Sequence, residues 1–392
     1  MFENAAAQPI DQIIAISRAY AADKRYDKVD LGIGVYKDSG GETPIMRAVK
    51  RAEERLVAEQ RTKTYVGVGG DPRFVELMAQ AVLPGRQMGQ DFAGVQAVGG
   101  SGAVRLLAET ALRLNPDARF WLPDPTWPNH GAILGAIGAG IERYPWPRFT
   151  AAIDIDAILA SLDAASPGDC VIVHAGCHNP SGIDPDLAGL RALAEGLVAR
   201  GLMPFVDAAY IGFGKGWEED AARVAAIADI APEMLLALSC SKNFSIYRER
   251  TGVALLVGRA GKGLNATMSL LLAIARASYS MPPDHGANVV RTILEDEALR
   301  REWLDELADT RDRINRNRAG LALALARARQ DIDWTYIDKG YGMFALLDVT
   351  EESARRLREE VGVYIIPDGR MNVAAINLDH VDEIAARLVA AL

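Results

Sequence analysis

An α/β fold, with a mostly parallel sheet covered by helices on both faces, is predicted by two features of this 392-residue sequence. Short apolar runs alternate with longer stretches of helical periodicity across roughly two hundred residues, the pattern of successive βαβ units. The segments that follow those runs are rich in glycine, serine and polar residues, as expected where a parallel sheet presents its carboxyl edge.

The runs at 95–98, 119–122, 170–174, 203–206, 235–239 and 252–257 read as strands. The stretches 103–114, 129–139, 155–162 and 187–200 between them read as amphipathic helices. A charged helical region follows over 287–329, its arginines and carboxylates alternating as on a solvated face. Beyond it GMFALLDV, GVYIIP and MNVAAINL are strand-like and flank a helix at 352–360, which predicts a second, smaller α/β unit. The N-terminal segment up to about Thr43 has no place in the main sheet and is expected to pack with that unit, leaving a cleft between two bodies.

Hydrophobic residues make up 49% of the chain and charged residues 24%, so disorder is excluded and a large core is available. The net charge of −9, with basic residues scattered, argues against a nucleic-acid surface, and an anionic substrate would need individually placed arginines. Cys170, Cys177 and Cys240 are too few and too unevenly spaced for a disulfide framework, which favours a reducing compartment. No apolar run reaches the roughly 18 residues of a membrane span, and the first residues lack the pattern of a signal peptide, so a cytoplasmic protein is expected.

The chemistry is expected in the loops after the strands. Gly99-Gly100-Ser101-Gly102 precedes a helix, and its open backbone with the helix N-terminus suits a phosphate; a tight turn with Ser101 as N-cap is the plainer alternative. It is neither GxGxxG nor GxxxxGK[ST], so no dinucleotide or P-loop fingerprint is present. His174 and His178 invite a metal, but the chain has no HExxH or CxxC to complete a site, and none is expected. Asn179 precedes a proline, which favours an extended backbone and an amide aimed into the cleft. Asp207 closes an apolar strand, where a carboxylate needs a cation or donors; it either caps the next turn or keeps a pyridine nitrogen protonated, with Tyr210 near the ring hydroxyl. Lys242 is one of nine lysines against 34 arginines, and it alone directly follows a buried-type strand. A lysine is ordinarily a solvated charge, but a desolvated one is a nucleophile for carbonyls. Ser239, Ser241 and Arg250 lie near enough in sequence to bind the phosphate of a cofactor held there. Phosphate cradle, ring-side Asn, pyridinium Asp and nucleophilic Lys together describe pyridoxal phosphate.

Nine stretches of this chain then resemble the class I aminotransferases of the aspartate and aromatic amino acid subgroup: LGIGVYKDSGGETPIMRAV, TKTYVGVGGDP, GGSGAVR, DPTWPNH, CHNPSGIDP, DAAYIGFGKGWEEDA, SCSKNFSIYRERTG, ASYSMPPDHGA and GVYIIPDGRMNVA. The resemblance implies a fold-type I pyridoxal-phosphate transferase, with a large cofactor-binding domain of residues 44–309 and a small domain of 1–43 plus 310–392. It implies that Lys242 holds the cofactor covalently, that Asp207 pairs with the ring nitrogen backed by His130, and that Tyr210 and Asn179 hold the ring oxygen. Trp127 would stack on the ring, and Gly100, Ser101, Ser239, Ser241 and Arg250 would bind the phosphate, joined by Tyr65 of a neighbouring subunit. Arg370 would grip the substrate α-carboxylate and Gly34 would lie on a segment covering the substrate. Arg276, again from the neighbour, would meet a distal carboxylate, so a homodimer is implied. Ile211 and Ser245 depart from the family's usual glutamine and glycine without an assignable chemical role.

The implied reaction is a ping-pong transfer of an amino group from an aromatic or dicarboxylic amino acid to a 2-oxo acid such as 2-oxoglutarate. Arg276 favours dicarboxylates, whereas ETPIMRAV and an apolar Met281 lean to the aromatic branch. A strictly aspartate-directed aminotransferase is the alternative; a non-catalytic sensor domain and a carbon–sulfur lyase fit the pattern less well.

Overall fold

The computed structural model describes residues 2–7 and 10–392, so Met1, Gln8 and Pro9 of the N-terminal segment lie outside the described residues. Eleven strands among them fall into three sheets. In chain order they are β1 (Val29–Asp30), β2 (Phe92–Val98), β3 (Arg119–Asp124), β4 (Gly140–Pro145), β5 (Cys170–His174), β6 (Met203–Ala208), β7 (Glu233–Ser239), β8 (Thr251–Gly258), β9 (Phe344–Leu346), β10 (Val363–Tyr364) and β11 (Arg370–Asn372).

The central sheet runs β2-β8-β7-β6-β5-β3-β4. Only β8 is antiparallel to its neighbours. Every residue of β5 is buried, as is nearly all of β8, which is why these strands read as continuous apolar runs instead of alternating ones. Strand β4 was not expected: it is an edge strand whose residues GIERYP are mostly exposed, so it carries no apolar signal. The reversal of β8 matters for the site. Thr251 pairs with Val98 and Gly252 with Ser239, so the beginning of β8 meets the ends of β2 and β7, and Arg250 joins the carboxyl rim.

The expected helix 287–329 is two helices, His285–Glu295 and Glu297–Ala328. Asp296 leaves the helical backbone and caps the second by accepting from the amides of Ala298 and Leu299 at 2.9 and 3.0 Å. The residues 103–114 extend back to Gly99, and the helix expected at 129–139 spans only Pro128–Gly135.

The chain ends meet as expected. β1 pairs in parallel with β10, and Asn372 donates to the carbonyls of Ile33 and Val35, both at 2.7 Å. The long helix touches both this unit and the loop after β7. Near its start, Trp303 stacks on Phe244 at 4.3 Å and donates to the Asn243 carbonyl at 2.8 Å, fixing the loop after β7. Two turns beyond residue 309, Arg318 is buried and donates to the carbonyls of Ile337, Tyr341, Gly342 and Phe344. The boundary between 309 and 310 therefore falls inside one continuous helix.

Replacing Arg318 with methionine strands four buried carbonyls, and the stability lost is expected to be about 3 kcal/mol or more. Urea unfolding monitored by tryptophan fluorescence reads this directly; an unchanged midpoint would mean that other donors satisfy those carbonyls.

Candidate active site

Five strand ends and the start of β8 surround a cavity of about 300 Å³. Its lining includes Gly34, Gly100, Ser101, Trp127, Asn179, Asp207, Tyr210, Ser239, Ser241, Lys242 and Arg250, eleven of the residues singled out in the sequence. His174, Ala209 and Tyr247 also line it. Tyr247 was not anticipated, although it lies five residues beyond Lys242; its hydroxyl accepts the Tyr36 amide at 3.1 Å and so ties the N-terminal segment to the cavity wall.

At one end stands Asp207. His130 Nε2 lies 3.0 Å from its Oδ2, and His130 Nδ1 lies 2.9 Å from Thr126 Oγ1. A hydroxyl donating to Nδ1 leaves the proton on Nε2, facing the carboxylate. Burial alone would raise the Asp207 pKa, but the His130 hydrogen bond and the charges around it, Lys242 included, hold it below the usual carboxylate range. Asp207 thus meets His130 instead of capping the next turn. His174 stacks on His178 at 4.5 Å, and burial pushes His174 down to about 3, so both rings pack as neutral aromatic groups.

Beside Asp207, Asn179 Nδ2 donates to the Tyr210 hydroxyl at 3.2 Å, while its Oδ1 is buried without a partner. Lys242 lies 5.0 Å from the Tyr210 ring centroid. Burial pushes the Lys242 amine down to about 8, with Arg250 and Arg370 acting in the same sense and Asp207 opposing them. The amine is therefore partly uncharged near neutrality, unlike a surface lysine.

The opposite end is a cradle for an anion. The helix Gly99–Leu114 begins at Gly99, so Ser101 lies inside its first turn and Val98, not Ser101, is the N-cap residue. Gly99 has φ +68°, and a Cβ there would come within 2.6 Å of Arg250 Nη2. A Cβ on Gly100 would meet Ser239 Cβ at 3.0 Å. Arg250 Nη1 donates to Ser241 Oγ at 3.4 Å, and the Ser241 amide donates to Ser239 Oγ at 3.3 Å. Bare backbone at a helix N-terminus, two hydroxyls and a guanidinium are the donor set for a phosphate.

Arg370 stands behind this cavity, close enough to influence both Lys242 and Tyr210. It is 2% exposed, donates from Nη2 to the Gly32 carbonyl at 2.7 Å, and leaves Nε buried without a partner. No carboxylate pairs with it among the described residues. Arg318, equally buried, has four carbonyl acceptors, so burial by itself does not leave an arginine wanting; Arg370 has the Gly32 carbonyl and an orphaned Nε, donor capacity that could receive an anion. Two expected residues lie elsewhere. Tyr65 is 90% exposed, and Arg276 is exposed near the end of the helix Lys262–Ser278, where it donates to Ser280.

Residues 26–388 match the family described as aminotransferase class I and II. The chain belongs to the class I and II aminotransferases. It is 40% identical to the aromatic-amino-acid aminotransferase of Paracoccus denitrificans, over 99% of each chain. It is 39% identical to the aspartate aminotransferase of Escherichia coli K12, over the whole of both. A crystal structure of the aromatic-amino-acid aminotransferase from Burkholderia pseudomallei, covalently bound to pyridoxal phosphate, superposes with a TM-score of 0.94 at 35% identity, covering 100% of this chain and 99% of that one. The protein is thus an enzyme of a pyridoxal-phosphate-dependent family, and it moves amino groups between amino acids and 2-oxo acids.

In protein stripped of cofactor, acylation of Lys242 by an amine reagent should rise with pH around a midpoint of about 8. Asp207→Asn removes the charge that raises this pKa and should shift the midpoint down. Peptide mapping of the acylated lysine over a pH series checks both, and a midpoint typical of exposed lysines would refute the assignment.

Proposed function

We propose that this cavity binds pyridoxal phosphate through Lys242 and that the enzyme accepts both aromatic and dicarboxylic amino acids, with 2-oxoglutarate as an amino acceptor. The observation that carries the reading is the placement of a lysine pushed down to about 8 between a buried carboxylate and a phosphate cradle. The orphaned Asn179 Oδ1 and the bare glycines fit the group: the first leaves a polar atom for the ring side, the second leave space for the phosphate. When bound, the cofactor supplies an electron sink for the substrate's Cα carbanion.

The chain's residues then have separable tasks. Asp207, oriented by His130, keeps a proton on the ring nitrogen. Asn179 and Tyr210 hold the ring oxygen, and Trp127 covers the ring. Gly100, Ser101, Ser239, Ser241 and Arg250 bind the phosphate. Lys242 would hold the cofactor covalently and, as a free amine, would be the base that accepts and returns the substrate's Cα proton. Arg370 grips the α-carboxylate as a fork, and Gly34 lies on the segment that covers it. Residues 44–309 would form the cofactor-binding body, and 1–43 with 310–392 the smaller one.

Tyr65 and Arg276 are absent from this chain's own cavity and are assigned to that of a partner subunit in a homodimer, Tyr65 to the phosphate and Arg276 to the substrate side chain. Both are exposed, and Tyr65 sits in an exposed loop with Val66 beside it. The three free, buried cysteines support a reducing, cytoplasmic setting. The strictly aspartate-directed alternative is favoured by the likeness to the E. coli aspartate enzyme, which equals that to the Paracoccus aromatic one within a percentage point.

A panel of amino donors with 2-oxoglutarate separates these readings. Arg276→Ala should abolish most aspartate turnover while phenylalanine turnover survives in part; negligible phenylalanine turnover by the unmodified enzyme would establish the aspartate-only alternative. Shared sites make a second prediction. Lys242→Ala and Arg276→Ala protomers, refolded together in equal amounts, should recover about a quarter of the aspartate activity, because each mixed dimer contains one intact site. Recovery of nothing would place Arg276 in its own subunit's site.

A further inference from the structure

We infer that Phe344 is a positioning residue for substrate, its ring face holding the Arg370 guanidinium in the orientation that receives the α-carboxylate. The inference rests on the reading of Arg370 given above. Phe344 is 2% exposed and does not line the cavity, so it acts only through its neighbours.

Three of those neighbours belong to the site. The Arg370 guanidinium carbon lies 4.7 Å from the Phe344 ring centroid. The Tyr210 ring meets it edge to face, at 5.9 Å and 89°. A Cβ on Gly34 would lie 3.2 Å from Phe344 Cζ, so the covering segment runs directly over the para position.

The arginine needs such a support. Its Nη2 is spent on the Gly32 carbonyl and its Nε has no partner, so hydrogen bonds within the chain do not fix the plane of the fork. A desolvated aromatic face attracts a guanidinium and supplies that missing constraint without neutralising the charge or occupying a donor. A carboxylate in the same place would pair with Arg370 and exclude the substrate. The ring itself is held firmly from outside the site. Phe344 pairs with Asn372 in the β9–β11 ladder, and its carbonyl accepts from the buried Arg318. The same ring thus links the α-carboxylate site, the covering segment and Tyr210.

The test uses the pyridoxal-phosphate-loaded enzyme and 3-phenylpropionate, whose carboxylate is its one polar group. Phe344→Leu should weaken 3-phenylpropionate binding about tenfold and raise KM for amino donors more than it lowers kcat. Substitution of 3,5-difluorophenylalanine at 344 keeps the shape and leaves the para position free, but weakens the negative ring face. It should give a smaller loss in the same direction, with cofactor absorbance and melting temperature unchanged. Difluoro protein that binds 3-phenylpropionate as the unmodified enzyme does overturns the inference, even if the leucine variant is impaired or misfolded. Arg370→Lys, measured alongside, keeps the two readings apart: normal binding there would refute the role of Arg370 itself, whereas a loss there without a loss at 344 refutes only the role of Phe344.

Discussion

Charge buried at the carboxyl rim of the central sheet is the constraint around which the rest of this molecule is arranged. Asp207, Lys242 and Arg250 are partly and Arg370 almost wholly withdrawn from bulk water, and an unpaired buried charge costs several kcal/mol. The fold offsets that cost selectively. Asp207 is given His130, itself hydrogen-bonded to Thr126, and Arg250 is given Ser241 and the Tyr247 carbonyl. Lys242 and Arg370 are left undersatisfied, and under the proposed function they are the two groups that meet cofactor and substrate. Reactivity here is the part of the desolvation cost that the chain leaves unmet.

The scaffold that maintains this arrangement lies mostly in one helix. Glu297–Ala328 stacks Trp303 against Phe244 near its start and presents Arg318 to the 337–344 backbone further along. The loop that carries Lys242 and the strand that carries Phe344 are therefore referred to the same rigid rod. Sub-ångström placement of groups on separate loops demands this kind of common support.

Relatives that act on aspartate and relatives that act on aromatic amino acids share this backbone and nearly equal identity with the chain. Under the proposed function both kinds of substrate would use the same cofactor and the same α-carboxylate partner, Arg370. They would differ at the far end of the side chain, where the exposed Arg276 of a partner subunit would pair with a carboxylate but not with an aromatic ring. Specificity of that kind occupies a handful of residues and leaves no mark on the fold.

How much was legible in the sequence follows from range. Lys242, Asp207 and Asn179 were singled out because each lies within a few residues of the end of an apolar run, and the structure brings all three to one cavity at the carboxyl edge of the sheet. The buried runs at 170–174 and 252–257 were visible for the same reason. Strand β4 was not, because an exposed edge strand has no apolar signature, and the break at Asp296 was hidden within unbroken helical periodicity. Sequence alone also allowed Ser101 to be a helix cap, Asp207 to cap a turn and Lys242 to be a solvated charge. What decided those cases was tertiary: the helix begins two residues before Ser101, His130 occupies Asp207, and the cavity removes Lys242 from water. Arg370 makes the point most fully. Its family role was implied by the chain's resemblance, but its hydrogen bond to the Gly32 carbonyl joins residues 338 positions apart and its seat on Phe344 comes from the pairing of β9 with β11, contacts that no local pattern encodes.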